Sequence, residues 1–246
     1  MKKCIIFLIL VFFCFGFSSP HHKIIARQNA AAACSVTYTE PFTTANTDNV
    51  DGNTMFDAEY DFNSICNILD NELTLLIETN STLVYLKEEG PDNVSEITVK
   101  YTIEFSDVAG IDDGTSILRH IKLEDNSGVD QAYIVFQASG GNLSTAYGTL
   151  IHDGGSVNTS TIDISGLAVD TKCDVVIYWK KDASAGGLSL KVGAAAAVDT
   201  GFNEDNHLKD GVGSVFIGAT EHYWGDGAND TTMTVDDFEI YLCDAR

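Results

Sequence analysis

The sequence EITVKYTIEF, residues 96–105, alternates apolar and polar side chains along its whole length. Successive side chains of a β-strand point to opposite faces, so this period of two predicts one buried and one exposed face. Shorter β-branched runs bounded by glycine, aspartate or asparagine occupy residues 161–164, 174–179, 187–192 and 214–218. No stretch has a convincing helical period. The runs predict an all-β protein, an antiparallel β-sandwich of about a dozen short strands.

The N-terminus has the composition of a targeting segment. Two lysines precede an apolar run over residues 5–17, and small residues follow it. That order is typical of a secretory signal peptide, here residues 1–19, and the run is shorter than the roughly 20 residues of a membrane span. An uncleaved anchor is the alternative. Residues 20–34 are predicted to be a flexible segment and residues 35–246 a single domain, secreted and without a membrane span.

The chain is strongly acidic, with a formal net charge of -22 and a pI near 4.3. Binding of duplex DNA or RNA needs cationic groups that displace counterions from phosphates, so nucleic acid is excluded as a partner. An anionic membrane surface is disfavoured for the same reason. The acidity has two interpretations that composition does not separate. One is solubility outside the cell, and the other is binding of Ca²⁺ by carboxylate oxygens.

Four of the six cysteines lie outside the signal segment: Cys34, Cys66, Cys173 and Cys243. An even number in a secreted chain favours two disulfides, although four cysteines allow three connectivities. Cys34 and Cys243 flank the predicted domain, and terminal strands are often neighbours in a sandwich. The favoured pairs are therefore Cys34 with Cys243 and Cys66 with Cys173. A zinc site is disfavoured because no two cysteines have the close spacing of such sites.

Three stretches carry a resemblance to a known superfamily. The sequence DVVIYWKKDASAGGLSLKV, residues 174–192, resembles a hairpin of concanavalin A-like lectins and laminin-G-like jelly rolls. Residues 215–218 and 235–241 resemble the two closing strands of the same fold. The Glu40-Pro41-Phe42 segment is similar to the opening of MAM-type extracellular domains. The resemblance implies a jelly-roll β-sandwich and speaks to fold more than to function.

The same resemblance implies a structural calcium ion. In similar jelly rolls an acidic residue on the first strand and an aspartate on the last strand hold a cation. Glu40 and Asp237 occupy the matching positions, and only one of Asp236 and Asp237 can face inward on a strand. The alternative is that these carboxylates are edge-strand charges that block aggregation.

A loop near the C-terminus is the candidate carbohydrate-binding site. Sugars stack on aromatic rings while carboxylates and amides bind their hydroxyl groups. Tyr223, Trp224, Asp226 and Asn229 combine these side chains within a polar, glycine-containing segment. The alternative is that the aromatic residues fold back to cap the core. Two weaker candidates are Tyr147 and His152, whereas Trp179 alternates with Val175 and Ile177 and is predicted to be core.

Catalytic motifs are incomplete in this chain. The glycosidases of the superfamily carry Glu-x-Asp-x-x-Glu, and Glu59-Tyr60-Asp61 is the nearest fragment, without the second glutamate. Related polysaccharide lyases use Arg, His and Tyr with Gln on facing strands. The chain has Arg119, His120 and Gln137, but strand alternation places Arg119 and His120 on opposite faces.

The leading hypothesis is a secreted, non-catalytic carbohydrate-binding or adhesion module, stabilised by disulfides and calcium. Its expected partner is an extracellular glycan or a component of the cell surface or matrix. One alternative is a polysaccharide-degrading enzyme of the same fold, a glycoside hydrolase or lyase. The other is an extracellular structural or protein-binding component that uses its sheet faces.

Overall fold

The structure is a computed structural model that describes most of the chain beyond Cys34. The described residues are 35–42, 50, 54–60, 66–77, 84–89, 93–107, 116–139, 142–206, 210–223 and 231–243. The chain divides between Cys34 and Ser35 into two units, and all the strands described below belong to the second. None of the described residues forms a helix long and apolar enough to cross a membrane.

The described chain forms two antiparallel sheets. The strands are β1 (Ser35–Glu40), β2 (Ala58–Tyr60), β3 (Cys66–Leu69), β4 (Glu72–Ile77), β5 (Val84–Glu88), β6 (Glu96–Asp107), β7 (Ser116–Glu124), β8 (Asp130–Ser139), β9 (Asn142–His152), β10 (Gly155–Asn158), β11 (Ile162–Asp163), β12 (Cys173–Lys180), β13 (Gly187–Val192), β14 (Val198–Asp199), β15 (Ser214–Tyr223) and β16 (Thr231–Cys243). Sheet A has the order β14-β13-β12-β6-β16-β4-β3, with β1 also paired to β16. Sheet B has the order β10-β9-β8-β7-β15-β5-β2, with β11 paired to β9. The predicted antiparallel β-sandwich is confirmed.

The core lies between the two sheets, and β6 supplies one row of it. Its apolar positions are all buried, as the alternation of residues 96–105 predicts: Ile97, Val99, Tyr101, Ile103 and Phe105. Trp179 of β12 is also fully buried, which confirms its predicted core position. Phe105 meets Phe136 of sheet B with ring centroids 5.8 Å apart. Burying each such large apolar side chain stabilises the fold by about 1.5–3 kcal/mol.

Sheet B also has an outer face, turned away from sheet A. On β8 the residues Ile134 and Phe136 are buried in the core, and the alternate positions point outward. The strand register extends this outer face across the sheet. Its side chains are Tyr85, Lys87, Phe216, Arg119, Lys122, Tyr133, Val135, Gln137, Thr145, Tyr147 and Thr149. Three cations and four aromatic rings therefore share one surface of an acidic protein.

One predicted strand pair is wrong. The sequence predicts that residues 73–78 and 82–86 pair with each other around Asn80. In the structure β4 pairs with β3 and β16 in sheet A, whereas β5 pairs with β2 and β15 in sheet B. Alternation predicts each strand, but two strands close in sequence can still belong to opposite sheets.

The predicted disulfide between Cys66 and Cys173 is also wrong. Both cysteines belong to sheet A, Cys66 on β3 and Cys173 on β12, with β4, β16 and β6 between them. Four interstrand steps of about 4.8 Å separate them by roughly 19 Å. A disulfide needs Cα atoms about 4.4–6.8 Å apart. The Cys173 thiol instead contacts the carbonyl oxygen of Asp174 at 3.7 Å.

Candidate active site

Arg119 reaches the outer face of sheet B through an irregularity in β7. The register of β7 shifts between Arg119 and Ile121 against both neighbouring strands. A β-bulge of this kind changes the direction of the side chains around it. His120, within the bulge, is fully buried between the sheets, where its ring lies 5.2 Å from that of Tyr101. The predicted opposite orientation of Arg119 and His120 is therefore confirmed.

Two side-chain hydrogen bonds hold the bulge in place. The hydroxyl group of Thr220 donates to the carbonyl oxygen of Arg119 at 3.0 Å. The Nδ1 atom of His120 lies 3.1 Å from the carbonyl oxygen of Gly218. β15 is itself irregular between Ile217 and Glu221, so these bonds replace regular strand pairing at this point. They fix the backbone from which the Arg119 side chain projects.

The guanidinium group of Arg119 stacks on an aromatic ring of the adjacent strand. Its Cζ atom lies 4.0 Å from the centroid of the Tyr133 ring. Arg119 is the register partner of Val135, which is in turn the partner of Tyr147 on β9. The guanidinium group and the two phenols therefore stand together on three adjacent strands. A planar cation over an aromatic ring is held in one orientation and still presents its N–H groups at its edge.

Of the two tyrosines beside Arg119, Tyr147 has a resolved shift of its pKa. Partial burial raises the pKa of Tyr147, the neighbouring Tyr133 adds to the increase, and the charge of Arg119 opposes it. Because the positive charge of Arg119 lowers the pKa of Tyr147, the two side chains interact electrostatically. A phenol with a pKa above 10.0 is protonated at neutral pH, so Tyr147 is able to donate a proton.

Gln137 and Thr145 extend the group along the same two strands. The hydroxyl group of Thr145 donates to Oε1 of Gln137 at 2.9 Å. This bond fixes the orientation of the amide, with its oxygen as the acceptor and its NH₂ group as the donor. A carboxylate ligand could thus meet a guanidinium group, an amide and a phenol on one face. That combination can bind a carboxylate and transfer a proton beside it.

The described outer face of sheet B contains no histidine. Burial lowers the pKa of His120 to about 4, so the ring is neutral inside the core at ordinary pH. His152 lies at the turn after β9, where its Nδ1 atom accepts a hydrogen bond from the Gly154 amide at 3.1 Å. That nitrogen is 3.9 Å from the carboxylate of Glu204. Of the Arg, His, Tyr and Gln combination considered from the sequence, the described outer face therefore carries arginine, glutamine and two tyrosines.

The predicted carbohydrate-binding loop lies almost entirely outside the described residues. Trp224, Asp226 and Asn229 are not among them, and Tyr223 is the last residue of β15, with its side chain not described. This site stays a prediction. Sequence reasoning missed Tyr133 as a partner of Arg119 and gave Tyr147 only a minor role. The available signal was the alternation of β8 and β9, which places both tyrosines on one face.

The two predicted calcium ligands have separate environments. Glu40 is buried, and its two oxygens accept hydrogen bonds from the backbone amides of Phe42 and Met55 at 2.7 and 2.9 Å. Asp237 is exposed, with φ at 51°. Within the described ranges no group of three or more His, Cys, Asp or Glu side chains is arranged to hold a metal ion. The described geometry satisfies Glu40 without a cation, and calcium binding stays a prediction.

Comparison with known proteins places the fold. No protein-family model matches the sequence, and no curated protein matches it. The structure is similar to an alginate lyase from Klebsiella pneumoniae, with a TM-score of 0.51, 9% identity, and coverage of 74% of this chain and 85% of that one. A family 7 alginate lyase in complex with substrate gives a TM-score of 0.52, 12% identity and coverage of 76% and 84%. The fold is a concanavalin A-like jelly roll, as the sequence resemblance implies.

These neighbours correct the leading functional hypothesis. The sequence favours a non-catalytic carbohydrate-binding or adhesion module. Both structural neighbours named above are instead polysaccharide-degrading enzymes. The finding agrees better with the alternative, an enzyme of the same fold. The sequence offers Arg119, His120 and Gln137 of the lyase set but no complete catalytic motif, because strand pairing and not local sequence brings arginine, glutamine and phenols together on the described face.

Proposed function

We propose that this protein is a polysaccharide lyase that cleaves a uronate-containing polymer at the outer face of sheet B. The observation that carries the proposal is the placement of the Arg119 guanidinium group 4.0 Å from the Tyr133 ring, with Tyr147 on the next strand. A uronate offers a carboxylate to the guanidinium group and a glycosidic oxygen to a proton donor. Both alginate lyase neighbours act on a polymer of this class, which supports the choice of substrate.

The proposed reaction is a β-elimination. A base removes the proton on carbon 5 of a uronate unit, and the electron pair of that bond forms a double bond between carbons 4 and 5. The bond from carbon 4 to the glycosidic oxygen breaks, and the departing oxygen takes up a proton. One chain becomes two, and one product begins with a 4,5-unsaturated uronate. The reaction consumes neither water nor an oxidant.

Each side chain of the group has a role in this scheme. Arg119 neutralises the uronate carboxylate, which makes the proton on carbon 5 more acidic and stabilises the charge that develops when it leaves. Gln137 donates its amide NH₂ group to the same carboxylate. We assign proton removal to Tyr133, whose ring lies against the Arg119 guanidinium group, and proton donation to Tyr147 on the next strand. Arg119 thus supplies electrostatic stabilisation, and the two phenols move the protons.

Secretion belongs to the same proposal. A lyase for a large polysaccharide must meet its substrate outside the cytoplasm, and the signal-like segment at residues 1–19 fits that requirement. The predicted disulfide between Cys34 and Cys243 would suit the same oxidising compartment. The extracellular partner is then the polymer itself.

The test is product formation from a panel of polymers. Purified protein is incubated with alginate, other polyuronates and a neutral glucan, and the ultraviolet absorbance of unsaturated uronate is followed. We expect absorbance to rise with at least one polyuronate and to stay flat with the glucan. Tyr147→Phe and Arg119→Gln should each lower the rate by about 10²-fold or more. Absence of unsaturated product from every polyuronate, with folded protein, would overturn the proposal.

A matched control comes from the other sheet. Tyr178 lies on β12 of sheet A, where its ring is 5.6 Å from that of Phe202. The Tyr178→Phe change removes a phenol hydroxyl group from the opposite side of the sandwich. It should leave the rate of product formation within about two-fold of the unaltered protein, since surface changes away from a site are usually small. A comparable loss in both phenylalanine variants would point to a general effect on the fold.

A further inference from the structure

A second group of cations lies on the outer face of sheet B, apart from Arg119. The Nζ atom of Lys122 lies 4.2 Å from the centroid of the Phe216 ring, and that of Lys87 lies 5.4 Å from it. The Tyr85 ring meets the Phe216 ring with centroids 5.5 Å apart. We call Lys87, Phe216 and Lys122 the lysine cluster. None of the roles assigned above to Arg119, Tyr133, Tyr147 or Gln137 uses it.

The lysine cluster forms one row across the strands. Phe216 on β15 is the register partner of Lys87 on β5 and of Lys122 on β7. The row continues from Lys122 to Tyr133 on β8. Three interstrand steps separate Lys87 from Tyr133, a distance of about 14 Å at the usual spacing. A polymer that crosses the strands at Tyr133 would therefore pass Lys122 on the adjacent strand and reach Lys87 at the far end of the row.

Both lysines are paired with neighbouring carboxylates. Lys87 forms an ion pair with Glu89, and Lys122 forms one with Glu124. The Glu89 side chain is 56% exposed, and exposed ion pairs contribute little to stability because water and salt screen them. Exchange of Glu89 for a ligand carboxylate therefore costs little, whereas the Glu124 side chain is only 12% exposed, so its pair with Lys122 is shielded from water. Phe216 is only 5% exposed, so its ring is a support for the lysine stems and offers little surface for sugar stacking.

We propose that the lysine cluster is a distal subsite that binds an anionic sugar unit of the polymer away from the bond that is cut. This inference rests on the proposed function for the identity of the polymer. The subsite gives a reason for two ammonium groups to be gathered on the same outer face as Arg119 in a chain of net charge -22. Exchange of Glu89 for a sugar carboxylate would let these ammonium groups offset part of the repulsion between this acidic protein and a polyanion. The chemical class of ligand is a sugar bearing a carboxylate or a sulfate ester.

Binding to oligosaccharides of increasing length tests the subsite directly. Affinities of oligouronates are measured by calorimetry for the unaltered protein and for the double variant Lys87→Met with Lys122→Met. Methionine keeps an apolar stem over Phe216 and removes the charge. We expect affinity to increase with length in the unaltered protein and the double variant to lose about ten-fold for the longest oligomers. Equal affinities in the two proteins would overturn the inference.

Two further variants separate ligand binding from packing. Glu89→Gln removes the exposed competitor of the ligand and should strengthen binding of long oligomers by about two-fold or more. If the lysines only cover Phe216, this change leaves binding unaltered and the inference fails. The matched control is Lys180→Met with Lys191→Met on β12 and β13 of sheet A, which should not change affinity.

The binding experiment does not depend on catalysis. If no polyuronate is cleaved but the lysine variants lose affinity, the subsite stands and the lyase assignment fails. If polyuronates are cleaved but the lysine variants bind as the unaltered protein does, the lyase assignment stands and the subsite fails. A sulfated, uronate-free galactan used as a competitor distinguishes the two sources of negative charge. Competition that depends on Lys87 and Lys122 identifies a sulfate ligand, whereas competition by oligouronates alone identifies a carboxylate ligand.

Discussion

His120 and Gly218 join two irregular strands directly behind the candidate active site. The Nδ1 atom of His120 lies 3.1 Å from the carbonyl oxygen of Gly218, inside the core. A neutral imidazole with its hydrogen on Nδ1 donates this bond, and a buried carbonyl oxygen requires such a donor. The next residue back, Arg119, projects to the opposite side of the sheet. The buried bond therefore supports the backbone that carries the guanidinium group.

Protonation of His120 should destabilise the fold in mildly acidic solution. Burial lowers the pKa of His120 from 6.5 to about 4, so the unfolded chain binds a proton at a higher pH than the folded one. The associated stability is fully present above pH 6.5 and is lost as the pH falls towards 4. Its size is about 3 kcal/mol. Denaturant unfolding across this range should show a steeper decline for the unaltered protein than for His120→Gln, and parallel curves would contradict the assignment.

Gly218 should not tolerate a side chain. Its φ is 136°, and an added Cβ would lie 2.3 Å from the carbonyl oxygen of Val84 and 2.7 Å from Cα of Tyr85. Backbone atoms of β5 cannot move aside without breaking their pairing with β15. Gly218→Ala should lower the free energy of unfolding by about 2 kcal/mol or more. Gly166→Ala is the control, because a Cβ there meets no atom within 4 Å, and similar losses in both variants would refute the steric argument.

The alternation of apolar and polar residues along the sequence predicts the strands and the core. Residues 96–105 and the hairpin of β12 and β13 could be predicted because a period of two directly reports which side chains are buried. Trp179 could be assigned to the core on the same basis. The partner sheet of β4 and of β5 could not be predicted, because pairing depends on contacts between residues distant in sequence.

The candidate site was harder to predict because a bulge changes which face of sheet B the side chains of β7 point to. In a regular strand Arg119 and Lys122 would point to opposite faces, since they are three residues apart. The register shift between Arg119 and Ile121 turns both to the outer face of sheet B. No local sequence pattern indicates this irregularity, which depends on hydrogen bonds to Gly218 and Thr220 of the neighbouring strand. The grouping of Arg119 with Tyr133 and Tyr147 therefore needed the structure.

The rate of the proposed elimination should persist into alkaline solution. Burial raises the pKa of Tyr147 above its ordinary value of 10.0. A proton donor is active below its pKa and loses activity as the pH rises through it, so the decline in kcat/KM should lie above pH 10.0. The profile is measured from unsaturated-product formation, with stability checked at each pH. A decline well below pH 10.0 in folded protein would exclude Tyr147 as the donor.

Calcium dependence can be tested independently of activity. If Glu40 and Asp237 share a structural cation, a chelator should lower the melting temperature and Asp237→Ala should abolish that effect. The backbone amides of Phe42 and Met55 already satisfy the Glu40 carboxylate. From this geometry we expect Glu40→Gln to be destabilising whether or not chelator is present. A melting temperature that does not change with chelator would remove calcium from the description of this protein.

The disulfide between Cys34 and Cys243 stays a prediction of the sequence, and Cys34 lies outside the described residues. Ser35 of β1 is the register partner of Leu242 of β16. In the sequence, Cys34 precedes the first of these residues and Cys243 follows the second.

Peptide mapping without reductant should therefore recover Cys34 linked to Cys243 and no peptide linking Cys66 to Cys173. Reduction, or Cys34→Ser, should lower the free energy of unfolding by about 2–4 kcal/mol, because the bond closes almost the whole domain into one loop. Cys34→Ser together with Cys243→Ser should match the single variant, since only one bond is lost. Alkylation of Cys243 in the folded, oxidised protein would show that the terminal strands are joined by hydrogen bonds and packing alone.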